Sequence, residues 1–188
     1  MQWVLKMALF CTAFVFAGQC ENPRDFMINL SNEVSEQAKK TSDVDQLMLD
    51  ISKKVEGISD ADYVISRVVG GGVYRDMLSK DKEELKGLMA QQLVKGFVGT
   101  LMQIDTGKGL RFYPYREAIE KVAQVKALYR ARSGAVVKLK FMLNCESEQW
   151  LLQDVSLDGV MVMDGYIAQY KPIAREKGVR GLIQFLKN

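Results

Sequence analysis

The chain contains no histidine at all, so the commonest general base and the commonest metal ligand are both missing. Its three cysteines have no His partner, and no Gly-x-Ser-x-Gly arrangement marks a nucleophile. Charge of one sign is also scarce: 26 basic against 23 acidic residues is no polyanion-binding surplus, so nucleic acid is not an expected partner. Repeats and low-complexity runs are absent. The glycine run Gly70-Gly71-Gly72 is not followed by Gly-Lys-Ser/Thr, and Lys108 in Thr106-Gly107-Lys108-Gly109 is followed by glycine, so neither makes a phosphate loop. Asp154, Asp158 and Asp164 lie close in sequence, but turn-forming or solvated acids account for them, and Asp158-Gly159 is ordinary turn chemistry. An enzyme, a metal site or a cofactor is therefore not expected.

What is present suits one domain, since 188 residues can bury about two-thirds of their unfolded surface in a single core. The apolar run Met7 to Ala17 follows Lys6 and is too short for a spanning helix, which needs about 20 residues. It reads as a signal peptide over residues 1–20, with Val15-x-Ala17 placing cleavage near 17–20 and leaving 21–188 as the domain. The alternative is lipidation of Cys20, against which Ala17 and Gln19 depart from the usual residues before such a cysteine. Cys11 leaves with the signal. Cys20 and Cys145 could pair in an oxidising compartment, but nothing in the sequence brings them together, and unpaired thiols are the expectation.

Helical periodicity then dominates. Asn22-Pro23 opens a first helix with Phe26, Leu30, Val34 and Ala38 on one stripe, and a second starts at Ser42 or Asp43 and ends at Gly57. A third, capped by Ser59 or Asp60, ends where the triple glycine breaks the backbone. The longest runs from Ser79 to about Ile104, with Leu93, Phe97 and Leu101 on its apolar face and three interior glycines, Gly87, Gly96 and Gly99. From Arg111 the period drops to two. Ala123, Val125, Ala127 and Tyr129 alternate with polar residues, as do Val137, Leu139, Phe141 and Leu143, and Trp150 begins the last strand. The expected product is an α+β domain, with amphipathic helices on one face of a curved antiparallel sheet of three to four strands.

Two segments resemble a known family. The first is W-x-x-x-D-V-x-x-D-G-V from Trp150 to Val160, then a helix with Tyr166 and Tyr170, then Gly178-x-x-Gly181-Leu182-Ile183 and Leu186. The second runs from Asp62 to Gly70 and on to Tyr74-Arg75. Together they resemble the MlaC/toluene-tolerance family of periplasmic phospholipid-binding proteins. Met161 and Ile167 depart from its pattern, which has Ser and Arg there.

The resemblance implies an apolar lipid slot between helices and sheet, lined by Leu93, Phe97 and Leu101 with Val125, Ala127, Tyr129, Leu139, Phe141 and Trp150. It implies a monomeric periplasmic carrier that holds phospholipid as a ligand. Its partners would be an inner-membrane ABC lipid transporter complex and an outer-membrane lipoprotein/porin complex. A carrier of hopanoid-type lipids and a ligand-free periplasmic scaffold domain with a filled core are the alternatives.

Overall fold

A computed structural model describes residues 20–40, 43–101, 109–131 and 133–188. Each helix begins where the local chemistry calls for it. Asn22 accepts the Arg24 N–H on its side chain and starts α1 (Pro23–Lys40). Asp43 accepts from Asp45 and Gln46 to cap α2 (Val44–Ile58). Asp60, rather than Ser59, accepts the Tyr63 N–H to cap α3 (Ala61–Val69), which stops at Gly70 with φ 95°.

The triple glycine is more than a break. After the turn at Gly70 the chain re-enters a helix, α4 (Gly71–Asp76), although Gly71 and Gly72 are poor helix formers. The described part of the next helix, α5, is Ser79–Leu101. The expected continuation to Ile104 lies outside the described residues.

The sheet has five antiparallel strands in sequence order, not three or four: β1 (Arg111–Phe112), β2 (Val122–Arg130), β3 (Val136–Glu146), β4 (Gln149–Leu157) and β5 (Val160–Met161). The two extra strands have two residues each, below the length at which alternation is visible in a sequence. Asp158 and Gly159, both at positive φ, make the tight β4–β5 turn, and β5 runs straight into α6 (Val162–Lys187). That helix is interrupted at Gly178, whose φ of 68° and ψ of −179° separate a short closing helix, in keeping with the Gly178-x-x-Gly181 pattern.

Register explains how one face becomes apolar. Val125 pairs with Phe141, Ala127 with Leu139 and Ala123 with Leu143, so these six point the same way. On β4 the pairing slips between Met142–Asp154 and Leu143–Leu152, skipping Gln153. This bulge puts Trp150 and Leu152 on the same face as Val155 and Leu157, which strict alternation would separate. All of them join one cluster with Met27, Phe26 and Leu30 of α1, which lies over β2. A second cluster, built from α3, α5 and α6, centres on Ile65, Val68, Leu85, Met89 and Leu182.

Candidate functional site

The sheet's inner face is the strongest candidate for a binding surface. Every sheet residue expected to line a slot falls on it: Val125, Ala127, Tyr129, Leu139, Phe141 and Trp150 belong to one apolar cluster. Trp150 is fully enclosed, whereas Val137, Leu152, Val155, Leu157 and Phe112 on the same face are only half-buried. Phe112 and Phe141 lie with ring centroids 6.2 Å apart. The helical half of the expected lining is less uniform. Leu93 is half-buried, while its neighbour Val94 is enclosed against Ile51 of α2. The side chains of Phe97 and Leu101 lie outside the described residues.

One end of this face is closed by a device that the expectation of free thiols missed. Cys20 and Cys145 form a disulfide, their Cα atoms 6.0 Å apart across 125 residues of sequence. Cys145 pairs in register with Trp150, and the Trp150 indole N–H donates to the Glu21 carbonyl at 2.8 Å. The segment before α1 is thus stapled to the β3–β4 hairpin by a covalent bond and a hydrogen bond on adjacent residues. Cys20 itself is buried. A sulfur held in this bridge is not free to carry a thioether-linked lipid, and a domain starting at 21 would lack half of the bridge.

The adjoining edge of β4 is fixed by two carboxylates that the sequence offered only as turn or cap formers. Asp60 accepts the Gln153 amide at 2.9 Å, and its own N–H donates to the Leu152 carbonyl at 3.0 Å. The bulged residue is therefore what ties the α2–α3 junction to the edge of β4, beside the parallel bridge from Ser59 to Leu152. Asp154 accepts the N–H groups of Val155 (2.7 Å) and Met163 (3.1 Å), the second of which lies in the first turn of α6. Burial pushes the Asp154 carboxyl above its ordinary range; the two N–H groups pull it down again, and Asp164 adds to the rise. Asp158 accepts the Lys138 N–H at 2.9 Å. All three acids serve backbone geometry.

The aromatic residues of α6 are likewise structural. Tyr166 donates from its hydroxyl to the Gln92 carbonyl of α5 at 3.1 Å and stacks on Tyr170, which meets Phe185 of the closing helix edge-on at 6.3 Å. They hold α5 and both parts of α6 together. On the outer surface the Tyr74 hydroxyl donates to Asp62, which Lys86 approaches at 3.0 Å. Those contacts pull the Asp62 carboxyl down, and Lys86 is pushed up to about 12 by Asp62 and Glu83. This set links α3, α4 and α5 and faces solvent.

Among the described residues no group of three acidic or cysteine side chains could hold a metal ion, and no helix is long and apolar enough to cross a membrane. No curated protein sequence matches the chain. Among solved structures it is similar to the phospholipid-binding protein from Ralstonia solanacearum, determined in complex with a phospholipid. The two are 15% identical and superpose with a TM-score of 0.74 over 89% of this chain and 96% of the other, a likeness of fold. The family model described as MlaC protein matches residues 29–188, and the chain accordingly belongs to the MlaC family.

Proposed function

We propose that the chain is a periplasmic carrier that binds a phospholipid non-covalently against the inner face of its sheet and moves it between membranes. The observation that carries this reading is the apolar inner face in a member of the MlaC family: Leu139, Phe141 and Ala127 at its centre, flanked by apolar side chains that α1 covers only in part. A similar fold holds a phospholipid in the Ralstonia solanacearum protein, and we carry that ligand over to this chain.

The chemistry needed is exclusion of water and nothing else. Each methylene moved out of water is worth about 0.8 kcal/mol, so some 30 tail methylenes would cost on the order of 25 kcal/mol if left exposed. Long apolar strands meet that requirement, and no reactive group is called for. Cys20 and Cys145 are tied to each other in the disulfide. Energy and direction would come from the partners, an inner-membrane ABC lipid transporter complex on one side and an outer-membrane lipoprotein/porin complex on the other.

The test is transfer of a fluorescent phospholipid between donor and acceptor vesicles. A carrier raises the transfer rate in proportion to its concentration, and Phe141→Asp abolishes the increase. A folded protein that neither speeds transfer nor takes up the probe would overturn the proposal in favour of a ligand-free scaffold.

A further inference from the structure

The outer face of the sheet carries a pattern that lipid binding on the inner face does not use. Arg111 pairs with Leu128, and Leu128 with Lys138, in one cross-strand row. In the next row Lys126 pairs directly with Lys140, and Arg130 extends the same face of β2. Five cations thus share one face of three adjoining strands. Glu146, Asp154 and Asp158 share this face, so its formal charge is +2 against +3 for the whole chain.

Neutralisation from within is partial. Among the described residues none of the five has a carboxylate within 4 Å, and Arg130 turns instead to the Gly134 carbonyl. Three acids lie on the same face: Asp154 accepts the N–H groups of Val155 and Met163, Asp158 accepts that of Lys138, and Glu146 stands at the far end of β3. At the margin, Arg116 and Glu117 add one charge of each sign beside Lys126. Like charges directly opposite each other across two strands are destabilising. Lys126–Lys140 is such a pair, at the middle of the nine-residue register of β2 with β3.

We propose that this face docks on an anionic phospholipid bilayer. The position of the charge selects this partner. A protein interface has an apolar, charge-poor centre and a polar rim, whereas here the lysine pair is the centre, and the exposed apolar residues Val122 and Val136 sit at opposite ends of β2 and the start of β3. Strands of 9 and 11 residues span roughly 30 Å or more. That extent suits many weak phosphate contacts, each basic residue near an anionic membrane adding a several-fold gain in partition. Docked this way, the molecule meets a membrane with its outer face while the apolar face lies on the other side of the sheet. The proposal goes beyond the carrier reading and stands without it, because vesicle association and phospholipid uptake are read separately.

The experiment is co-sedimentation of the mature protein with vesicles of phosphatidylethanolamine containing phosphatidylglycerol, against vesicles of phosphatidylcholine alone. Binding to the anionic vesicles only, weakening as salt is raised, is expected. Lys126→Glu with Lys140→Glu should lower it by about tenfold or more. Lys126→Glu alone, which places opposite charges across the strands and favours folding, should lower it several-fold. Lys39→Glu with Lys40→Glu, an equal change of net charge on α1, should leave it nearly intact. Three results overturn the proposal: no anionic-vesicle binding by the unaltered protein at low salt, binding unaffected by the Lys126 and Lys140 changes, or equal loss in the α1 control. A protein that ignores vesicles but is held by polyglutamate through the same two lysines would instead identify an acidic protein partner.

Discussion

Replacing Cys20 and Cys145 together by serine removes a crosslink that closes a loop of 125 residues, most of the chain. In the chain-entropy description a loop of about this length withholds about 5 kcal/mol of conformational entropy from the unfolded state, and removal of native disulfides typically costs about 2–5 kcal/mol. The lower part of that range applies if the reduced unfolded chain keeps residual structure. A change of 1 kcal/mol moves Tm by about 2–4 °C in a domain of this size, so the double variant should melt about 5–20 °C lower. Trp150→Phe removes the indole hydrogen bond to Glu21, worth about 0.5–1.5 kcal/mol, and also leaves a cavity where the enclosed indole packed, so it should cost more than the hydrogen bond alone. The assay is thermal unfolding by circular dichroism of the oxidised protein, the same protein with reductant, and both variants. Reductant should lower Tm of the unaltered protein to that of the double variant and leave the variant unchanged. Coincident melts for oxidised and reduced protein, or two titratable thiols in the denatured mature chain without reductant, would refute the reasoning.

Three further outcomes follow from the geometry. Phe141→Asp places a charge in the centre of the inner face and should eliminate copurifying phospholipid, whereas Phe141→Leu should retain it; extraction and quantitation of lipid from folded protein checks both. Gly178 occupies a backbone region essentially restricted to glycine, and a Cβ on Gly181 would lie 2.2 Å from the Lys177 Cβ. Gly178→Ala should therefore cost about 1–3 kcal/mol, with Gly181→Ala also destabilising, both measured by urea unfolding. Burial raises Asp154, so the fold favours its neutral form: the stability it contributes is complete below the ordinary carboxylate range and is lost as pH rises through its raised folded value. Asp154→Asn keeps an acceptor for Met163 and should remove that decline, so its Tm relative to the unaltered protein should rise between acidic and neutral pH.

Much of the architecture is local and is therefore legible in the sequence. Asn22, Asp43 and Asp60 cap helices through neighbours two or three residues away, Asp158-Gly159 turns the chain locally, and the period-two alternation of β2 and β3 follows from one wet and one dry face. The disulfide has no local signature, because what brings Cys20 to Cys145 is the path of α1 over β2 and the indole of Trp150 holding Glu21. The bulge at Gln153 is equally silent in sequence, yet it decides which side chains of β4 face inward and which one reaches Asp60. On α5 a single apolar stripe misleads. Leu85 and Met89 pack with α3 and α6, but Val94, nine residues and about two and a half turns beyond Leu85, packs on the opposite side against Ile51 of α2. The helix changes partner along its length, so Val94 and not Leu93 is enclosed. The outer cations are visible in the sequence one by one as polar alternates, and only the register joins Lys126 to Lys140.

Native mass spectrometry of the protein purified from a Gram-negative periplasm, followed by organic extraction and lipid identification, tests the central claim most directly. The account predicts a mature chain with Cys20 retained in its disulfide and about one bound phospholipid, displaced in Phe141→Asp. Protein that emerges without lipid and refuses added phospholipid would contradict it.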